Sequence, residues 1–173
     1  QRQGAILSFS VQSNISLPGL DRFAWGPWLS GLKESAFCQR MVERLRIKTA
    51  SSHTLVSGLS GGNQQKVVIA KWLGLTPTIV ILDEPTKGID VGAKQAVYQL
   101  IADMVQEGLA VILVSSELPE VMNLAHRIIV MRRGLQVAEF SREQAHAEAI
   151  LAAASGLSAG TSTARLETQE LPA

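Results

Sequence analysis

The stretch Leu59-Ser60-Gly61-Gly62-Asn63-Gln64-Gln65-Lys66 runs straight into the apolar segment Val67–Leu73. Ile81-Leu82-Asp83-Glu84-Pro85-Thr86-Lys87-Gly88-Ile89-Asp90 follows one short break later. Two adjacent glycines ahead of a helix let the backbone approach a ligand closely. The helix start adds unpaired N–H groups and the positive end of the dipole, a combination that binds phosphate. Ser60 can add its hydroxyl, either as N-cap or as a direct donor to a terminal phosphate. Pro77 separates this helix from Thr78–Leu82, a continuous β-branched and apolar run that predicts a strand buried on both faces of a parallel sheet. Asp83 and Glu84 stand where that strand ends, the edge at which open α/β sheets bind ligands. Phosphoryl transfer to water needs Mg2+ on the phosphate oxygens and a carboxylate to orient or deprotonate the attacking water. An acidic pair in this place could equally cap the next helix.

Working outward, the pattern alternates. Ala93–Gln106 reads as an amphipathic helix with Ala96, Val97, Leu100, Ile101 and Met104 on one side, capped by Gly108. Leu109–Ser115 is a second buried strand, and Glu117 to about Ala125 a helix that tolerates Pro119 in its first turn. Arg127–Met131 and Leu135–Phe140 flank Arg133-Gly134 as a hairpin. A helix is expected at Arg142–Ala154. The Ser/Thr/Gly-rich stretch 155–173 has no apolar period and is expected to be disordered. Upstream, Ser10–Ser16 starts a helix, and Glu34–Ile47 forms a better one with Phe37, Met41, Leu45 and Ile47 near helical spacing. Phe23, Trp25 and Trp28, broken by Gly26 and Pro27, read as a loop of aromatic anchors, either covering a core or facing a partner. Helix and strand in this rhythm predict an α/β fold with right-handed crossovers.

Composition narrows the classes. The chain has 173 residues, 46% hydrophobic, with 16 basic and 15 acidic residues for a net charge of +1. That is enough for a core, and the near-balance gives no electrostatic footprint for nucleic acid and no polybasic membrane anchor. The single cysteine, Cys38, allows no internal disulfide, fits a reducing compartment and reads as a small buried helix residue. No apolar run approaches the ~20 residues a spanning helix needs, so membrane association is expected to come through a partner. The start Gln1-Arg2-Gln3-Gly4 has neither an initiator Met nor a signal-peptide pattern, and the chain is expected to be a fragment or the product of a broken reading frame. His53, His126 and His146 have no metal-site spacing and read as surface or turn residues.

Together the two opening segments resemble the signature motif, Walker B strand and D-loop of the ATP-binding cassette (ABC) ATPases. The N-Q-Q form of the signature, with Asn63 where the family usually has Gln, is similar to that of its sugar-importer branch. The resemblance covers roughly Gly4 to Ala154. It implies a partial P-loop NTPase domain, with a mostly helical subdomain at 1–58 and signature, Walker B and parallel-sheet core at 59–154. The Walker A phosphate loop, G-x-x-x-x-G-K-S/T, occurs nowhere in the sequence.

By that resemblance Ser60, Gly61, Gly62 and Asn63 contact ATP, Asp83 holds the Mg2+ shell, Glu84 is the catalytic base, and Asp90 belongs to the D-loop that crosses a cassette dimer. The position of the family's switch histidine is Ser116, in V-S-S-E rather than V-S-H-D, a form similar to the second cassette of bacterial monosaccharide importers (ribose-, galactose-, xylose- or autoinducer-type). A serine supplies no imidazole, which weakens the case for hydrolysis at this half-site. The implied partners are a first cassette, a transmembrane permease and, indirectly, a periplasmic sugar-binding protein, at the cytoplasmic face of the inner membrane. The competing readings are a truncated module that only donates its signature or regulates, and a soluble DNA-repair or translation ATPase. The latter carry coiled coils or basic faces that this sequence lacks.

Overall fold

The computed structural model describes residues 4–26 and 28–156. Ser10 starts the first helix, α1 (Val11–Ser16), its hydroxyl accepting from the Ser13 amide at 3.0 Å. Val11 and Ile15 enter the core together with Asn14, whose burial is made tolerable by full pairing. Its amide donates to the Ile6 and Ser10 carbonyls, and its oxygen accepts from the Ile6 amide. A 3-10 segment, Leu17–Phe23, leads to a short antiparallel hairpin, β1 (Ala24–Trp25) with β2 (Trp28–Leu29). The aromatic cluster divides here. Phe23 is buried against the Phe37 ring at 5.2 Å between centroids, whereas Trp28 is 74% exposed.

Helix α2 (Gly31–Arg44) begins three residues before the expected Glu34 and ends earlier, Arg46 turning the chain with a φ of 49°. It buries Cys38, whose thiol is pushed up to about 11 by burial and by the nearby Glu34 charge. Helix α3 (Gly61–Leu73) carries the signature glycines in its first turn and buries Val67, Ile69, Ala70 and Leu73.

Next come β3 (Ile79–Asp83), α4 (Val91–Gln106) and β4 (Ala110–Val114). The two strands are parallel, paired from Ile79↔Ala110 to Asp83↔Val114, so this is a β-α-β unit. The expectation of burial on both faces does not hold. Val80 and Leu82 are buried, but Ile79, Ile81, Ile112 and Val114 are 58%, 67%, 51% and 49% exposed. Helix α4 packs against β4, and among the described residues nothing covers the other face of this two-stranded sheet. On α4, Val97, Leu100, Ile101 and Met104 are buried as expected, while Ala96 is exposed.

Helix α5 (Leu118–Leu124) follows, with Pro119 in its first turn. The chain divides into two compact units, Gln1–Glu120 and Val121–Ala173. In the second, β5 (Arg127–Arg132) and β6 (Leu135–Ser141) form the expected antiparallel hairpin. Its turn residues Arg133 and Gly134 both have positive φ, 50° and 81°, as a two-residue turn matched to strand twist requires. Helix α6 (Ala147–Ser155) packs on this hairpin through Ile150. It starts five residues later than the expected Arg142, because Gln144 turns back onto the Ser141 carbonyl at 3.1 Å. The expected disorder of the tail falls beyond position 156, outside the described residues. No described helix is long and apolar enough to cross a membrane.

Candidate functional site

The signature turn is built by a relay of short bonds. Ser60 occupies the N-cap of α3 in extended conformation, yet its side chain caps nothing. Instead its oxygen accepts from the Asn63 side-chain NH2 at 2.9 Å, and the Asn63 side-chain oxygen accepts from the Lys48 main-chain amide at 2.8 Å. Asn63 thereby ties the turn to the preceding loop and leaves the Ser60 hydroxyl hydrogen to donate outward. Ser60 and Gly61 are exposed. A Cβ added to Gly61 would meet nothing within 4 Å, whereas one on Gly62 would lie 2.7 Å from the Ala93 Cβ. The two glycines have different physical reasons. Gly61 keeps the first helical turn open, and Gly62 lets α4 approach.

Three cationic residues, Lys66, Lys48 and Arg46, lie near one another on this side of α3 and the loop before it. Lys66 donates to the Arg46 carbonyl at 3.1 Å. Its own pKa is lowered, by burial first and then by repulsion from Lys48 and Arg46. A cation held below its ordinary pKa by its neighbours regains stability when an anion arrives.

The acidic pair sits where β3 ends. Asp83 pairs with Val114 in the parallel register and is exposed, and the Glu84 amide continues the ladder to the Val114 carbonyl at 2.8 Å. Glu84 has a φ of 48°, a left-handed conformation that costs a non-glycine residue on the order of 1–3 kcal/mol. Its carboxylate accepts from the Ser116 main-chain amide at 3.1 Å. Asp90 is the N-cap of α4, its side chain accepting from the Ala93 amide at 2.9 Å. Asp83, Glu84 and Ser116 thus meet at one strand edge, and Gly62 lies against the start of α4.

Four contributors escaped the sequence reading. Thr86 donates to Glu120 at 2.9 Å, both fully buried, and the second Glu120 oxygen has no partner among the described residues. Lys94 forms an ion pair with Glu117, and that hydrogen bond is the main cause of its raised pKa. A glutamate and a lysine in first helical turns read as solvated charge. Only partners more than 20 positions away change that reading.

An α/β fold with an open glycine turn at one helix start and paired carboxylates at a strand tip fits the nucleoside-triphosphate-binding class. Solved cassettes share the architecture. A dimeric ATP-binding cassette in a post-hydrolysis state bound to ADP and phosphate aligns with a TM-score of 0.68 and 24% identity, over 82% of this chain and 60% of that one. A putative metal-chelate type ABC transporter in an inward-facing conformation aligns with a TM-score of 0.73 and 19% identity, over 86% and 59%. The ABC transporter family pattern matches residues 2–87. The chain is 46% identical to the ribose import ATP-binding protein of Bacillus licheniformis over 154 residues, 89% of this chain and 31% of that protein. It is 47% identical to the protein of the same name from Oceanobacillus iheyensis, with the same coverage. The chain belongs to the ABC transporter ATP-binding family. It spans about a third of the length of these curated relatives.

Proposed function

We propose that this chain is the C-terminal portion of the second nucleotide-binding cassette of a bacterial monosaccharide importer, working within the subunit that couples ATP hydrolysis to uptake. The observation that carries the reading is the open signature turn. Gly61 has free space at its Cβ position, an exposed hydroxyl stands beside it at Ser60, and Lys66, with Lys48 and Arg46 close enough to repel its charge, lies further along the same 13-residue helix. Amides and a hydroxyl at an unobstructed helix start, with positive charge on the same helix, fit a triphosphate.

In this reading Ser60, Gly61, Gly62 and Asn63 close over the phosphates of ATP held by a first cassette. Asp83, exposed at the strand tip, suits a hard divalent cation, and Glu84 orients or deprotonates the attacking water. Asp83 would hold Mg2+, whose chemistry there would be to offset charge on the phosphate oxygens. Asp90 fixes the D-loop that faces the other cassette, and Ser116 supports Glu84 through its amide. The sequence carries no phosphate loop with its amide cradle and lysine, so the chain alone binds ATP weakly and turns it over little. Permease subunits, a periplasmic sugar-binding protein and a place at the cytoplasmic face of the inner membrane complete the proposal.

The test is MgATP binding and turnover by the chain alone and with a first cassette of a ribose importer. Both rise with the cassette and fall again with Ser60→Arg. Robust turnover by the chain alone, abolished by Glu84→Gln, overturns the reading. The Ser116 position favours one second reading, a module that donates its signature without hydrolysing at its own half-site. In that case turnover by the mixture depends on Ser60 and is indifferent to Glu84→Gln.

A further inference from the structure

We propose that the first turn of α4, through Ala93 and Lys94, is a positioning element that links the signature turn to the Glu84 carboxylate inside this one chain. What the two ends touch rests on the proposed function; the linkage between them does not. At one end Gly62 and Ala93 leave no room between them. A Cβ on Gly62 would fall 2.7 Å from the Ala93 Cβ and 3.9 Å from the Ile89 Cγ2. Neither atom is the far end of a long side chain, so a shift of α3 displaces α4 instead of being absorbed. Ala93 is held in turn by Asp90, which accepts its amide at 2.9 Å. The D-loop and the helix start therefore move as one.

The next residue carries the link onward. Lys94 pairs with Glu117 across 23 positions of sequence. The Glu117 amide donates to the Ser115 hydroxyl at 3.0 Å, closing a tight turn around Ser116. The Ser116 amide then donates to Glu84. A parallel brace runs beneath, Thr86 to Glu120. Every step is a direct contact or a neighbouring residue, from the glycine turn to the carboxylate. Lys94 touches neither end, and its role is to hold the 115–117 backbone where the Ser116 amide meets Glu84.

Spatial continuity alone does not demonstrate coupling, so the test reads Ser116 directly. Amide hydrogen exchange is followed on the full chain without nucleotide, in wild type, Gly62→Ala, Lys94→Met, the pair of these, and Gly62→Ala with Ala93→Gly. Val67→Ala, a cavity elsewhere in α3, serves as a control for general loosening. Gly62→Ala and Lys94→Met each speed Ser116 exchange about threefold relative to the β3 and β4 amides, part of the loss of one hydrogen bond. Ala93→Gly restores the Gly62→Ala value, and Val67→Ala moves Ser116 only in step with the strands. Because the contacts act in series, the double variant exchanges no faster than the more affected single one. Ser116 exchange that merely follows the strands, or effects that multiply, overturn the proposal. Should Gly62→Ala fail to fold, Lys94→Met decides alone. No nucleotide enters this measurement, so a negative result here is distinct from a failure of the proposed ATP chemistry.

Discussion

The Ser116 main-chain amide donates to Glu84 Oε1 at 3.1 Å, so the carboxylate at the strand tip is oriented by backbone and not by the side chain that stands at position 116. The side chain at position 116 can therefore change without loosening Glu84. Ser116→Ala changes unfolding free energy by no more than about 0.5 kcal/mol, as expected of an exposed side chain whose hydroxyl makes no hydrogen bond among the described residues. Glu84→Ala, which removes the acceptor, speeds exchange of the Ser116 amide by roughly threefold to tenfold, the worth of one partly solvated hydrogen bond. An unchanged Ser116 amide in Glu84→Ala contradicts this account.

Thr86 and Glu120 form a second kind of pair. Both are about 1% exposed, and among the described residues Thr86 gives the Glu120 carboxylate its one hydrogen bond. Thr86→Val preserves shape and leaves a carboxyl buried with no donor, a loss on the order of 3 kcal/mol in urea unfolding. Adding Glu120→Leu to Thr86→Val removes the orphaned group and recovers most of that loss. Additive costs in the double variant contradict a direct partnership.

Sequence and structure agree most closely where the physics is local. The glycine pair, the Pro77 break and the Arg133-Gly134 turn act over a few residues, and α3, β3 and the β5–β6 hairpin fall where those residues put them. The acidic pair was legible because it ends an apolar run. Exposure was not legible. Ile79 and Ile81 carry the same side chain whether or not something lies over them, and coverage is a property of what packs on the strand. Glu120 shows the converse, since a glutamate in a first helical turn reads as solvent-facing until Thr86, 34 positions away, meets it. The late start of α6 was missed because Arg142, Glu143 and Gln144 suit a helix by propensity, and the return of Gln144 to Ser141 overrides them.

Lys66 makes the pH dependence specific. Its folded pKa lies below the ordinary 10.5, because burial, Lys48 and Arg46 disfavour its charge. Between that lowered value and 10.5 the unfolded chain binds more protons than the folded one, so this residue makes stability rise with pH in that window. Lys94 has the opposite sign. Its pKa is raised by Glu117, and the stability it contributes is complete below 10.5 and lost as pH climbs through the folded value. Unfolding midpoints of Lys66→Met and wild type, compared at pH 7 and near pH 10, separate the two. The variant is the more stable at neutral pH, and its advantage shrinks on the alkaline side. An advantage that grows with pH contradicts the assigned repulsion.

Gly61 separates stability from ligand approach. It lies in the first turn of α3, and the space at its Cβ position is empty. Alanine there loses less backbone entropy on folding than glycine, worth up to about 1 kcal/mol of added stability in a helix. In the proposed function the same methyl group stands where a phosphate would come within hydrogen-bond distance of the amides. Gly61→Ala therefore raises the urea midpoint while weakening binding of MgATP carried by a first cassette, by tenfold or more if a single amide contact of about 1.4 kcal/mol is lost. Gly62→Ala differs at the first measurement, because its methyl group collides with Ala93 and lowers the midpoint. If both alanine variants are destabilised alike, Gly61 is a packing residue and the open face of the signature turn is not a phosphate site.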